Sequence, residues 1–348
     1  MNSQERVAAV FSGELPDRIP RWCGSSPEFW NKAKLETALN DEELRIRMGD
    51  DFRRIFSEYK GPAVELMERA TWCSPFGIQR EGIGYGQPMS HPMKDFEAIS
   101  EVEQWSWPDS GMVDVSTLRA QASVWNGQYA VLGGEWSPFW HDVIDLVGHE
   151  NLYFKMYDHP EMVKHIFERV TDYYFEASVR AFDAAADLMD IFFIGNDLGG
   201  QTGPLMGVEM FEEFIMPSMK RLIQLGHDYH LPVMLHCCGG YRDLMPSLIR
   251  AGIDGLHALQ PDARGMDPAS LKKDFGGMVV LNGAIDSHNI LINGESPEWV
   301  REETRKVISV MKPGGRYIGG ASHDTILEET PVENVLAMMD AIQEFGSY

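Results

Sequence analysis

The stretch Met189-Asp190-Ile191-Phe192-Phe193-Ile194-Gly195-Asn196-Asp197 decides how this chain is read. From Met189 to Ile194 it is apolar on nearly every residue, and it ends in a glycine followed by two polar side chains. A strand with one face in water alternates apolar and polar residues. A strand covered on both faces, as in a parallel sheet flanked by helices, reads instead as one short apolar run. The same form recurs at Tyr129–Leu132, Pro232–Leu235, Ile253–Leu259, Met278–Leu281 and Tyr317–Ile318.

Helical patterns with recognisable ends separate these runs. Asp158-His159-Pro160-Glu161 opens one in which Met162, Ile166, Val170 and Tyr174 step by four. Ser296-Pro297 opens another, stopped by Pro313-Gly314-Gly315. Thr330-Pro331-Val332-Glu333 carries the Thr and Glu of a capping box. Met210–Leu225 is helical by period but contains Pro217, which predicts a kink or two abutting helices. Repeated strand–helix alternation implies parallel strands with right-handed crossovers. Nearer the start, a helix is expected around residues 3–11 and a first strand within Arg18–Trp22. Residues 23–125 mix helices with an inserted hairpin around Phe76–Gly86. An open doubly wound sheet fits the alternation too, but no GxGxxG or GxxxxGK follows the first clear strand. The expected fold is therefore α/β: a single (β/α)8 TIM barrel over residues 1–348. Residues 1–125 supply a helical and hairpin elaboration together with the first strands.

Charge narrows the function. With 53 Asp and Glu against 30 Lys and Arg, the 348 residues carry a formal charge of −23. Nucleic acid and anionic membranes both require a concentrated basic face, so neither is an expected partner. No run approaches the roughly 18 apolar residues of a membrane span, and residues 1–20 contain no signal-peptide core, which predicts a cytoplasmic protein. The four cysteines include the adjacent Cys237 and Cys238, a poor disulfide framework for a chain of this length. Twenty methionines beside 17 Phe and 9 Trp fit an adaptable core or a plastic, aromatic-lined pocket.

In such a barrel the chemistry lies at the carboxyl ends of the strands. Those ends read Gly134-Glu135-Trp136, Gly195-Asn196-Asp197, His236-Cys237-Cys238-Gly239-Gly240, His257-Ala258-Leu259-Gln260, Asn282-Gly283-Ala284-Ile285-Asp286 and Ser322-His323-Asp324. In extended backbone His236 and Cys238 point to the same side while Cys237 points away. An imidazole and a thiolate are zinc ligands, a catalytic zinc takes three protein ligands, and His323 on the last strand is the natural third. A buried cysteine beside a hydrogen-bonded histidine is the plainer alternative. Glu135 is a candidate displaceable ligand or proton donor, set against a solvated loop carboxylate. Asp197 is a candidate general acid–base group whose pKa burial would raise, set against a loop-holding aspartate. Trp136, Asn196, Gln260 and Asp286 are candidate substrate-binding or ligand-orienting residues. Gly239 and Gly240, ahead of a helix expected at Tyr241–Ile249, offer N–H groups for an anionic part of a cofactor or substrate.

Taken in order, these residues resemble the uroporphyrinogen decarboxylase superfamily, in particular its branch of zinc- and corrinoid-dependent methyltransferases. The resemblance covers nearly the whole chain. It runs from Glu5-Arg6-Val7 and Pro16-Asp17-Arg18-Ile19-Pro20 through Gly195-Asn196-Asp197-Leu198-Gly199 with Gln201, His236-x-Cys238-Gly239, Ala251-Gly252-Ile253-Asp254 and Gln260-Pro261. It continues to Asn282-Gly283-Ala284-Ile285-Asp286, Ser322-His323 and Thr330-Pro331-x-Glu333-Asn334. Decarboxylases of the family carry an Arg-Gln-Ala-Gly-Arg-Tyr segment whose arginines bind substrate carboxylates. Here the corresponding stretch is Arg18-Ile19-Pro20-Arg21-Trp22-Cys23-Gly24-Ser25-Ser26.

The methyltransferases bind zinc through a His-x-Cys and a later cysteine, where this chain has His323. Two imidazoles and one thiolate leave the ion a net positive charge, suited to polarising an oxygen. The resemblance thus implies methyl transfer between a small methylated compound, a methoxylated aromatic ether favoured, and a corrinoid (cobalamin) cofactor. The signature Asp-x-His-x-x-Gly of a resident corrinoid is absent, so the corrinoid is expected on a separate carrier protein. A homodimer is admitted without an assigned interface. A uroporphyrinogen-type decarboxylase and a non-catalytic corrinoid- or small-molecule-binding barrel are the competing expectations.

Overall fold

In the computed structural model, which describes residues 1–82 and 86–348, parallel strands follow one another in chain order around a barrel. They are β1 (Arg21–Trp22), β2 (Phe52–Arg54), β3 (Ala130–Gly133), β4 (Ile191–Gly195), β5 (Val233–His236), β6 (Gly255–Leu259), β7 (Val280–Ile285) and β8 (Tyr317–Ala321). Parallel ladders join each strand to the next from β2 to β8, and β8 pairs back to β1. The expected (β/α)8 barrel is the observed one.

The seam between β1 and β2 is closed by a single residue. Asp51 donates its N–H to the Arg21 carbonyl (3.0 Å) and accepts the Ala130 N–H of β3 on its own carbonyl (3.0 Å). Its carboxylate takes the Arg21 N–H (2.7 Å), the guanidiniums of Arg6 and Arg18 (2.9 Å each) and the Ser3 hydroxyl (2.6 Å). Ser3 and Arg6 belong to the first helix, Ser3–Ser12, so the same carboxylate ties that helix to the barrel. Val7 and Val10 then pack in one cluster with Phe52, Ala130, Ile191, Met234, Val280 and Ile318.

Period-two geometry turns this inward apolar layer polar at the carboxyl rim. Two residues beyond Phe52, Met234 and Val280, on the same faces, come Arg54, His236 and Asn282. Outside the strands the core is helix packing, with Met48, Met219, Met245, Met266, Met338 and Met339 all buried, so the methionine excess serves packing.

Departures from the sequence reading have local causes. β2 escaped it because three residues, two of them arginine, do not form an apolar run. Arg53 sits in the sheet nonetheless, paired with Glu42 (2.6 Å) and lying 3.8 Å over the Tyr129 ring. The kink at Pro217 takes the form of a π turn, Phe211–Ile215, between helices Val208–Met210 and Met216–Asp228, where the missing proline N–H needs no partner. The capping box at Thr330 does not form. The last helix is Val332–Phe345, with Pro331 at its cap and no side-chain capping bond. The hairpin expected around Phe76–Gly86 is part of a three-stranded antiparallel sheet, Trp72–Cys73, Gln79–Glu81 and Gln87–Pro88, and its residues 83–85 lie outside the described residues. No helix among the described residues is long and apolar enough to cross a membrane.

Removing the Asp51 carboxylate leaves Arg18 near the core without its carboxylate and Arg6 with only the more exposed Asp17 (2.7 Å). Asp51→Ala is therefore expected to lower stability by about 3–5 kcal/mol. Urea denaturation followed by circular dichroism measures this, and a loss under 1 kcal/mol would show that the seam closes without it.

Candidate metal centre

The β5–β6 register sets His236 directly opposite His257, and the two Nδ1 atoms are 3.0 Å apart. His236 Nε2 then faces the Cys238 Sγ at 3.2 Å. Cys238 follows the end of β5 and is succeeded by Gly239, with φ +76°, where a Cβ would stand 2.4 Å from the Gly199 carbonyl carbon. Only glycine allows both that conformation and that approach. Cys237 points away, as the spacing predicts, is fully buried, and its sulfur accepts the Leu198 N–H (3.3 Å).

Asp197, beyond the end of β4, enters the same group. Its Oδ1 accepts the Cys238 N–H (2.8 Å) and lies 3.4 Å from His236 Nε2, while Oδ2 is 3.3 Å from His141 Nε2. The ligand atoms of Asp197, His236 and Cys238 all lie within 4.8 Å of one another. His323 Nε2 lies 3.4 Å from the Cys238 sulfur, while its Nδ1 accepts the Thr325 N–H (2.9 Å).

These residues fit a zinc ion by chemistry and by spacing. Tetrahedral zinc with ordinary Zn–S and Zn–N bonds separates sulfur from nitrogen by about 3.5 Å, against the 3.2 and 3.4 Å found here. Burial lowers the pKa of His236, favouring the neutral imidazole that binds metals. Burial, reinforced by Asp197, pushes the Cys238 thiol up, a direction that a bound divalent cation reverses. For Asp197 burial acts upward, but His141 and His236 outweigh it and hold the carboxyl well below the usual range. The shift is opposite to the one expected from burial alone, and it makes Asp197 a standing carboxylate rather than a proton donor.

The remaining sequence candidates are distributed differently. Trp136 does stand at the centre, its ring 5.4 Å from His236 and 5.0 Å from Phe193. Glu135 turns instead to the Ser57 hydroxyl, and burial raises its pKa. Asn196 is fully buried and spends its amide on the Trp140 N–H (2.9 Å) and the Ser137 carbonyl (3.1 Å), joining loop to loop rather than facing a ligand. Asp286 accepts the His288 and Asn289 N–H groups (2.9 and 2.8 Å) and so caps the turn after β7. The N–H groups of Gly239 and Gly240 are taken by the Gln260 side-chain oxygen and the Gly200 carbonyl (2.8 Å for the latter), so they present no free anion cradle. The helix after them, Met245–Arg250, is also shorter than expected.

Sequence reasoning assigned no role to His257, His141, Asp324 or Arg54. Arg54 pairs with Asp324 at 2.7 Å, and Asp324 lies 3.8 Å from His257 Nε2. Burial acts upward on Asp324, but Arg54 and the two histidines hold its carboxyl well below the usual range. His257 stands two residues beyond Gly255 in β6, the one signal that marks it as a second inward histidine.

Two cavities flank the segment Ser322–Thr325. One of about 380 Å³ is lined by Gln260, Asp286, Ser287, His288, Ser322 and His323 among others. The other, of about 620 Å³, is walled by Trp22, Trp30, Phe52, Arg54 and Asp324 among others. The smaller one has no lysine or arginine in its lining. The three arginines of the larger are each paired with a carboxylate, Arg45 with Asp50, Arg53 with Glu42 and Arg54 with Asp324.

The fold and the rim define a parallel barrel whose His, Cys and Asp cluster could hold a metal ion. The family model for uroporphyrinogen decarboxylase (URO-D) matches residues 86–345, and the chain belongs to that family. Among curated relatives, the uroporphyrinogen decarboxylase of Salinibacter ruber is 24% identical over 195 residues, 56% of this chain and 50% of that protein. The methylcobamide:CoM methyltransferase MtbA of Methanosarcina acetivorans is 24% identical over 145 residues, 40% of this chain and 38% of that protein. The chain thus spans half or less of the length of these relatives. A solved structure of a methyltransferase from Methanosarcina mazei superposes with a TM-score of 0.71 at 17% identity, covering 99% of both chains. At that identity the likeness is one of fold.

A Cβ at Gly195 would lie 1.9 Å from the Trp136 ring. Gly195→Ala is expected to displace Trp136 from His236 and cost about 1–3 kcal/mol. Urea denaturation with tryptophan fluorescence checks both effects, and unchanged values would show that the ring has room to move.

Proposed function

We propose that this protein is a zinc-dependent methyltransferase acting between a small methylated compound and a corrinoid carried by a separate protein. The observation that carries the reading is the convergence of His236 Nε2 and Cys238 Sγ, 3.2 Å apart, at the rim of the barrel beside an uncharged-to-acidic cavity. When bound there, zinc supplies Lewis-acid polarisation of the atom that bears the methyl group. His236 and Cys238 hold the ion, and the packing of Trp136 on His236 keeps that ring in place. Gln260 and Ser322 line the cavity on the substrate side. Its volume of about 380 Å³ suits a single-ring compound. A methoxylated aromatic is the favoured methyl donor, with the corrinoid as acceptor.

Two groups stand ready for the third ligand position. His323 Nε2 lies 3.4 Å from the Cys238 sulfur but falls outside the group of mutually close ligand atoms that Asp197, His236 and Cys238 form, and its Nδ1 accepts the Thr325 amide, which leaves the proton of a neutral ring on Nε2. Asp197 has no such conflict, and with Cys238 it would neutralise the ion, whereas His323 would leave it cationic. Zinc content of Asp197→Asn and of His323→Phe separates the two: the variant that loses the metal has lost the ligand.

A decarboxylase reading is disfavoured by the cavities themselves. A polycarboxylate needs unpaired cations, and every arginine lining the larger cavity already has its carboxylate.

Three outcomes test the proposal. The native protein is expected to contain one zinc per chain. With Co(I) cobalamin and a panel of methyl ethers, thioethers and methylamines, at least one donor is expected to produce the methyl-Co(III) spectrum. Removal of zinc by a chelator, or Cys238→Ser, should abolish it; a zinc-free native protein whose activity survives Cys238→Ser sinks the proposal. Because Cys238 is held as a thiol without metal, zinc uptake must release its proton. Apparent zinc affinity should therefore rise with pH, by about tenfold per unit for one proton, and chelator competition between pH 6 and 8 measures that slope.

A further inference from the structure

We infer that His257 is a positioning residue that fixes the tautomer of His236, with Asp324 and Arg54 as its anchor, so that Nε2 of His236 is the nitrogen open to a metal. The inference rests on the zinc reading above.

A contact between two imidazole Nδ1 atoms is a hydrogen bond only when one carries the proton and the other the lone pair. At 3.0 Å, His236 and His257 are at that distance. For His236 to present a lone pair on Nε2, the nitrogen facing Cys238, its Nδ1 must be the donor. His257 Nδ1 must then accept, which puts the hydrogen of His257 on Nε2. That nitrogen makes no hydrogen bond among the described residues, and the nearest charge facing it is Asp324 Oδ1 at 3.8 Å, an electrostatic contact. The carboxylate is itself fixed by the Arg54 guanidinium (2.7 Å) and the Trp22 indole N–H (3.2 Å). A negative charge there favours an N–H toward it and disfavours a lone pair, so Asp324 biases the tautomer of His257 and, through it, that of His236; Asp197 Oδ1, 3.4 Å from His236 Nε2, pulls the His236 proton the other way unless a cation stands between them.

The surroundings leave His257 no other use for its ring. It is fully buried, with Trp22 at 4.6 Å and Phe193 at 5.5 Å between ring centroids. Had the position been needed only to fill the barrel, a phenyl ring would fill it without bringing an imidazole into an apolar layer. Metal-bound histidines are ordinarily oriented by a carboxylate or carbonyl on their second nitrogen. In this chain a second histidine stands between the two, because β5 and β6 are in register at these residues and Asp324 reaches in from β8.

The test is zinc affinity, read by chelator competition on the full-length protein, together with the visible spectrum of the Co(II)-substituted form. His257→Phe is expected to bind zinc about 10–100-fold more weakly and to alter the Co(II) bands. His257→Asn, whose side-chain oxygen can accept from His236 Nδ1, is expected to recover most of that loss. A His257→Phe protein that binds zinc within twofold of wild type overturns the inference and leaves the zinc reading standing. A wild-type protein that binds no zinc overturns both. Should His257→Phe fail to fold, ¹⁵N spectra of the zinc-loaded wild type decide: the N–H is expected on Nδ1 of His236 and on Nε2 of His257, and an Nδ1–H on His257 overturns the inference.

Discussion

A barrel of parallel strands loses its open edges only where its first and second strands meet, and here that meeting depends on Asp51. Its backbone bonds to β1 on one side and β3 on the other, and its carboxylate gathers Arg6, Arg18, Ser3 and the Arg21 amide. β1 and β2 are two and three residues long, too short to make a ladder that would do this by itself. With that point fixed, the first helix is pinned and the strands face a common interior, so their carboxyl ends share one rim.

From that closure follows the layering of the interior. Side chains two residues apart face the same way, so Phe52, Met234 and Val280 below become Arg54, His236 and Asn282 above. Several polar groups of the rim are thus packed against one another, while the buried Asn282 amide has no hydrogen-bond partner among the described residues. Arg54 and Asp324 neutralise each other, His257 lies between Asp324 and His236, and Asp197 leans on His141 and the Cys238 amide. The acidic balance of the whole chain has a local counterpart: the arginines that line the larger cavity already have carboxylate partners. This agrees with a neutral methylated compound better than with a polycarboxylate.

Much of this was legible in the chain itself. The apolar runs placed six of the strands to within a few residues, because strands buried on both faces cannot hide their composition. His236-x-Cys238 was legible because the two-residue period of extended backbone operates before any tertiary contact forms. β2 was not, since Phe52-Arg53-Arg54 relies on Glu42 and Tyr129 to bring an arginine into the sheet. Asn196, Gly239 and Gly240 looked like ligand-facing groups at a strand end, but their hydrogen bonds go to Trp140, Ser137, Gln260 and Gly200, partners that sequence distance conceals.

The sequence by itself determined the class of fold, the rim where chemistry collects, and the imidazole–thiol pair. These follow from periodicity and residue type, which are local properties. Only the tertiary structure decided what surrounds that pair. The β5–β6 register brought His257 to His236, the fold of the loop after β4 brought Asp197 under Cys238, and β8 delivered Asp324 and His323 from the far end of the chain. Proton positions and pKa directions depend on distances between atoms far apart in sequence, and those distances exist only once the barrel has closed.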